Sequence, residues 1–196
     1  MNLWQILFAL LGEMFKRNNP TGEFVIDSLP IAACDDIRLR RCKLFQGEKH
    51  RGHTVSKKHY FWGLKVRRMV TGEGWPIEFV LTPGSVGDVS ALKCFHFDLE
   101  AGSVVYGDRA YNDYGEEDSL QETAEITLRV QRKKNSNRVL PLWKEFLGKP
   151  VRQHIETSFS QITNLFPRHI NAVTPSGFML KLLCFLLAFA FHCLQA

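Results

Sequence analysis

KHYFWGLKVRRMV (58–70), TGEGWP (71–76) and IEFVLT (77–82) decide the fold class. The first run has the β-branched and aromatic composition of a strand, the second has two glycines and a proline, and the third alternates. Together they predict an antiparallel hairpin closed by Pro83-Gly84. Upstream, EFVIDSL (23–29) reads as a short buried strand that stops before Pro30, because the residue before a proline marks a boundary. Residues 31–57 are polar and basic and read as a loop. Downstream, Asp88 or Ser90 can cap a helix to about residue 97. SVVYG (103–107) is a short strand, 116–124 a helix, EITLRVQ (125–131) a fifth strand, and 141–166 a further helix. A hairpin combined with strand–helix–strand units predicts an α/β fold with a mixed five-stranded sheet flanked by helices.

Both ends are apolar. LWQILFALLGEMF (3–15) has its basic flank, Lys16-Arg17, after the apolar run rather than before it, and Glu13 interrupts it. A packing helix fits better than a secretion signal. FMLKLLCFLLAFAFHCL (178–194) is broken by Lys181 and His192. The uncharged run between them falls short of the ~18 residues of a membrane span. It is expected to be a buried C-terminal helix, with no membrane partner.

The 196 residues carry 25 Lys+Arg against 20 Asp+Glu, and the hydrophobic share of 45% suits a globular domain. Disorder, collagen and coiled coil are excluded. Residues 38–68 hold eleven Lys/Arg and one acid, whereas 98–125 hold nine acids and one base. A second basic cluster comprises Arg129, Arg132, Lys133, Lys134 and Arg138. Basic blocks around an acidic one suit a polyanion-binding surface beside a site that needs carboxylates. The five cysteines form no CxxC pair, which favours a reduced, cytoplasmic protein. Cys34, Cys42, His50 and His53 match no common zinc spacing. Trp75, in the hairpin turn, reads as an exposed aromatic, with base stacking as the alternative. There is no Walker motif, dinucleotide fingerprint or HExxH.

The acids carry the chemistry. Asp27 ends the first strand and Asp108 follows the fourth. Sites in open sheets gather outside the carboxyl ends of strands. If those strands are parallel neighbours, the two aspartates lie side by side. A third acid, Glu156, lies on the flank of a stripe formed by Ile155, Phe159, Ile162 and Phe166, with Arg152 one helical turn before it. Three converging carboxylates repel one another unless cations are present, and hard oxygen donors suit Mg²⁺ or Mn²⁺. Two such ions stabilise the attacking and leaving oxygens of an in-line displacement at phosphorus.

VIDSLP (25–30), FWGLK (61–65), Gly87-Asp88, YGDRAY (106–111) and RQHIETSF (152–159), in that order, resemble the DDE transposases of bacterial insertion sequences. The resemblance implies an RNase H-like catalytic domain that cleaves transposon ends and transfers the strand into target DNA. It implies Asp27, Asp108 and Glu156 as a metal-binding catalytic triad for two Mg²⁺ or Mn²⁺ ions. Arg152 matches the arginine of the related tyrosine–arginine–glutamate–lysine signature, whose tyrosine and lysine fall on Lys149 and Thr163. DNA contacts are expected from Arg152, Lys65, Arg109, Arg40, Arg41, Lys57, Lys58, Arg132, Lys133 and Lys134, and a homodimer in the active complex. The expected division is an apolar N-terminal helix at 1–20, the remnant of a missing N-terminal domain, a catalytic domain at 21–172, and a buried helix at 173–196. The alternative is a catalytically inactive truncated remnant that only binds DNA.

Overall fold

A computed structural model describes residues 3–35, 40–54, 59–132, 136–138 and 170–195. The elements are α1 (Leu3–Arg17), β1 (Glu23–Asp35), β2 (Arg51–Thr54), β3 (His59–Thr71), β4 (Pro76–Pro83), α2 (Asp88–Leu92), β5 (Val104–Gly107), α3 (Tyr114–Ala124), β6 (Thr127–Val130) and α4 (Pro175–Cys193). The expected mixed α/β sheet is present, with six strands among the described residues rather than five. Its spine runs β2-β3-β1-β5-β6, and β4 also pairs with β3. β1, β3 and β4 are antiparallel, while β5 joins β1, and β6 joins β5, in parallel.

The hairpin forms as expected. Thr71 and Trp75 close it through a backbone bond of 2.9 Å, and Gly74 takes a φ of 93° that other residues rarely adopt. Two expectations fail at its neighbours. β1 does not stop before Pro30 but runs to Asp35, with Pro30 opposite Lys65. Strand proline is tolerated where the missing N–H faces an unpaired edge. Among the described residues, β1 pairs with β5 only over Glu23–Val25, so that edge is open at Pro30. The supposed loop also contains β2, which pairs Arg51–Thr54 with His59–Trp62 on the edge of β3 that β4 occupies further along.

The sheet is covered on both faces. Arg68, Asp27 and Phe79 occupy paired positions and share one face. There α1 lies on β4, with Phe8 edge-on to Phe79 at 4.7 Å and Phe15 against Trp75 at 5.5 Å. Trp75 is therefore half-buried beneath α1, not an exposed turn aromatic. α4 lies on the same face, with the Arg68 guanidinium 5.9 Å from the Phe189 ring. It buries Phe178, Leu182, Leu183, Leu186, Leu187, Phe189 and Ala190, and leaves Leu180, Cys184 and Phe191 exposed. Each buried leucine or phenylalanine contributes roughly 1.5–3 kcal/mol of transfer free energy. Thr174 caps its start by accepting from the Gly177 N–H at 3.1 Å. By length and composition α4 could cross a membrane, but its buried positions match a helix packed on a core. On the opposite face, α2 stops at Leu92, shorter than expected, and is capped by Gly87 rather than by Asp88 or Ser90.

Candidate active site

The parallel pairing of β1 and β5 is short: Glu23 with Val104, Phe24 with Val105, Val25 with Tyr106. Asp27 lies two residues beyond Val25, and Asp108 two beyond Tyr106, the last observed pair. Gly107 permits close packing of β5 here, because a Cβ there would press on Val130 at 3.1 Å and Ile26 at 3.2 Å. Asp108 then leaves the strand and caps a single 3-10 turn, Arg109–Tyr111, its Oδ1 accepting from the Ala110 N–H at 2.8 Å. The Asp27 Oδ1 accepts from the Ser28 N–H at 2.6 Å. Both carboxylates are half-buried.

Arginines back the pair. Arg68 faces Asp27 across β1 and β3 and is 2% exposed. Burial pushes its pKa down, and the negative charge of Asp27 opposes that shift. Cys193 of α4 lies near enough for its thiol to feel Arg68, and burial raises that thiol to about 11. The next residue, Arg67, is fully buried on the other face. It donates to Asp88 Oδ1 from Nε at 3.2 Å and Nη2 at 3.0 Å, to the Val86 carbonyl at 2.6 Å, and to the Thr82 hydroxyl. Asp88 is thus the anchor of a buried ion pair. Tyr111, at the end of the 3-10 turn, is 1% exposed, and its hydroxyl has no hydrogen-bond partner among the described residues. Burial, then the charges of Asp88 and Asp27, push its pKa up.

The basic residues divide. Arg40, Arg41 and Arg109 are exposed. Lys65 is half-buried, with its Nζ 3.4 Å from the Val86 carbonyl, and burial lowers its pKa. Arg132 is 8% exposed and clasps both oxygens of Glu117 at 2.6 Å, while Arg138 grips Asp118 at 2.7 and 2.8 Å. Part of the second basic cluster is thus neutralised by the acids of α3. Glu156, Arg152, Lys57, Lys58, Lys133 and Lys134 lie outside the described residues, as does the helix expected at 141–166.

The structural roles of Arg67, Arg68 and Tyr111 went unread in the sequence. The available signal was the pair of arginines inside KVRRMV, a run too apolar for an exposed strand. Among the described residues no three His, Cys, Asp or Glu side chains form a metal cluster. His50 packs on Phe45 at 5.1 Å and His53 on Tyr60 at 4.7 Å, and no disulfide joins any of the five cysteines. Asp27 and Asp108 supply oxygen donors alone, which fits a hard divalent cation.

No curated protein matches the chain. Among solved structures it is similar to a piggyBac transposase synaptic complex with hairpin DNA, at 17% identity and a TM-score of 0.42. That similarity covers 63% of this chain, which spans about a quarter (25%) of the piggyBac chain. Residues 17–171 match the family described as Transposase DDE domain. With that match running through both aspartates and across most of its length, the chain belongs to the DDE transposase family.

Proposed function

We propose that this chain cleaves a phosphodiester at a transposon end and transfers the freed strand into target DNA. The observation that supports the reading is the parallel β1–β5 register, with Asp27 and Asp108 each two residues past its last pair, Val25 with Tyr106. The two carboxylates, with Glu156 as the third, would hold two Mg²⁺ or Mn²⁺ ions. Bound there, the ions would activate the attacking oxygen and neutralise charge on the leaving oxygen. In the first step water attacks phosphorus, the bond to the 3′-oxygen breaks, and a 3′-hydroxyl is released. In the second, that hydroxyl attacks a target phosphodiester, a new P–O bond forms, and the target's own 3′-oxygen leaves with a proton.

The protein's part is positioning. The sheet fixes the carboxylates, and Arg68 behind Asp27 offsets part of their mutual repulsion. Arg109, exposed directly after Asp108, is placed for a phosphate, and Arg152 serves the same end from the segment that carries Glu156. Arg40 and Arg41 extend the cationic surface along the DNA. The active complex would be a homodimer, so that two ends are handled together, and it would act in the cytoplasm.

The test uses purified protein and a labelled duplex bearing the ends of the DNA element that encodes it. Cleavage should require Mg²⁺ or Mn²⁺, and Asp27→Asn and Asp108→Asn should each abolish it. Undiminished cleavage by both variants overturns the assignment. A second reading, DNA binding without cleavage, draws on the exposed Arg40, Arg41 and Arg109. It predicts salt-sensitive binding and no metal-dependent product.

A further inference from the structure

Arg41, Lys43 and Lys181 meet at one cleft of about 620 Å³, with Ala33 of β1 and the start of α4 in its wall. No Asp or Glu is among the described residues that line it. The three cations are exposed, and among the described residues none of them enters an ion pair. Elsewhere Lys16, Arg67, Arg132 and Arg138 all grip carboxylates. Lys181 donates to the Asn171 carbonyl, and an ammonium has two further N–H groups to give. A cleft lined by one sign of charge concentrates the opposite sign, so this one favours an anion.

Packing holds the cations together. Leu44 is buried and Phe45 lies edge-on to Phe178 at 5.2 Å, which pins the segment carrying Arg41 and Lys43 against the helix carrying Lys181. Gln46 donates to the Cys42 carbonyl at 2.7 Å and ties the same turn. The start of α4 is capped from within by Thr174 and Gly177, so the attraction comes from the three side chains. Asn171, Val173 and Thr174, which also line the cleft, are exposed like the cations, so its rim is open. Small-molecule sites bury roughly 70–90% of their ligand. An open cationic cleft suits instead one stretch of a polymer that continues past it.

The distance from the acidic pair can be measured along two elements. Ala33 is six residues beyond Asp27 on β1, about 20 Å at the rise of a strand. The Phe189 ring lies 5.9 Å from the guanidinium of Arg68, which is paired with Asp27. Gly177, in the cleft, comes twelve residues earlier on α4, about 18 Å at the rise of a helix. Each strand of duplex DNA carries a phosphate every ~3.4 Å of axis, so this distance corresponds to about six base pairs.

We propose that this cleft seats backbone phosphates of duplex DNA about six base pairs from the position presented to Asp27 and Asp108, with Lys43 and Lys181 as the contacts and Arg41 beside them. The inference rests on the reading of that pair as the cleavage site. It adds to that reading a second, remote hold on the duplex, built from α4 and the segment before β2.

The experiment is fluorescence anisotropy of the full chain, without metal, on a labelled duplex bearing an end of the DNA element that encodes it, over a range of KCl. Each phosphate neutralised contributes about 0.9 to the log–log salt slope. Lys43→Gln with Lys181→Gln should therefore lower the slope by about two. Arg17→Gln, at an exposed cation on the end of α1, should leave it unchanged. An unchanged slope in the double variant, or a fall of about one in Arg17→Gln, overturns the inference. Thermal melts check that the double variant is folded. If it is not, Lys43→Gln alone, at an exposed site outside any strand or helix, should lower the slope by about one, and no fall overturns the inference. A free nucleotide offers the same phosphate chemistry, and calorimetry with thymidine monophosphate separates the two sources. Saturable binding that the double variant loses, with an unchanged DNA slope, assigns the cleft to nucleotides and overturns the proposal. Duplexes trimmed to about three base pairs past the cut, on one side and then the other, test the placement. On one of them the double variant and wild type should have the same slope, and a difference that survives both trims overturns it. Metal-free binding does not depend on cleavage, so the two readings fail separately. If Asp27→Asn cleaves undiminished, the catalytic reading is lost and the six-base-pair placement with it, whatever the slopes.

Discussion

Arg67 holds a full charge at zero exposure, and its partners explain how. The Asp88 carboxylate, the Val86 carbonyl and the Thr82 hydroxyl ring the guanidinium and join β3 to β4 and to the start of α2. Removing one member leaves the other charge buried and unpaired, which typically costs 3–5 kcal/mol. Asp88→Ala should therefore lower unfolding stability by about that much in a urea titration. Replacing both, as Arg67→Met with Asp88→Leu, should recover much of the loss. His50 gives a pH prediction. Burial, then the charge of Lys49, lower its pKa, against a hydrogen bond with the Gly63 backbone that favours the charged form. The unfolded histidine then binds more protons than the folded one below the ordinary value of ~6.5, so stability falls as pH drops through that window. Melts at pH 7.5 and 5.5 should show the decline, and His50→Gln should flatten it. Side-chain partners of this kind were hidden from the sequence. Arg67 and Arg68 read there as part of a basic surface, because charge is visible in a sequence and burial in a central strand is not.

At the scale of elements, periodicity and turn chemistry served well where they acted locally. The hairpin, β5, α3, β6 and both apolar helices lie within a few residues of their expected bounds. The misses came from pairing. Pro30 reads as a stop from its own geometry, yet β3 supplies a ladder that carries β1 past it. RGHT (51–54) has no strand composition and becomes β2 only because β3 extends beyond β4. Gly63 is the hinge of that arrangement. It lies opposite Ala32, where the register slips, and a Cβ on it would collide with the Ile31 carbonyl and lie 2.9 Å from the Ala33 nitrogen. Gly63→Ala should force the strands apart and cost about 1–3 kcal/mol in urea unfolding. α4 offers a contrast within one helix. Leu182→Ala, at a fully buried site, should cost about 2–5 kcal/mol, whereas Leu180→Ser, at a site half exposed, should change stability by less than about 0.5 kcal/mol. A helix surrounded by lipid would not separate the two positions in this way.

For the whole molecule, the balance of charge changes meaning once the chain is folded. Of the basic residues in 38–68, Arg67 and Arg68 are interior, Lys65 is half-buried, and Arg40, Arg41, Lys43, Lys49 and Arg51 remain at the surface. The cationic surface available to a polyanion is therefore smaller than the count of basic residues suggests. If Arg40 and Arg41 each neutralise a phosphate, Arg40→Gln with Arg41→Gln should reduce the log–log salt slope of DNA binding by about two, measured by fluorescence anisotropy. The candidate site was half legible. Asp108 follows β5 as the sequence predicts, but Asp27 lies inside β1 rather than at its end, because β1 continues to Asp35; the conditional parallel pairing of their strands matches the observed order. Arg68 lies opposite Asp27 across the β1–β3 ladder, to which no local pattern points, and the burial of Tyr111, three residues after Asp108, is equally invisible in the sequence. The three-pair contact between β1 and β5 also governs how the chain can change in length. From Phe24 to Asp27, and from Val105 to Asp108, a site that uses both carboxylates fixes the residue count, because one residue inserted or deleted in either segment would change the spacing of one aspartate from the shared register and turn it to the other face. The exposed turn at Glu100–Gly102, which enters no strand or helix, has no such constraint. Relatives that preserve the site should therefore differ in length there and keep one common spacing in the two short segments that end in aspartate.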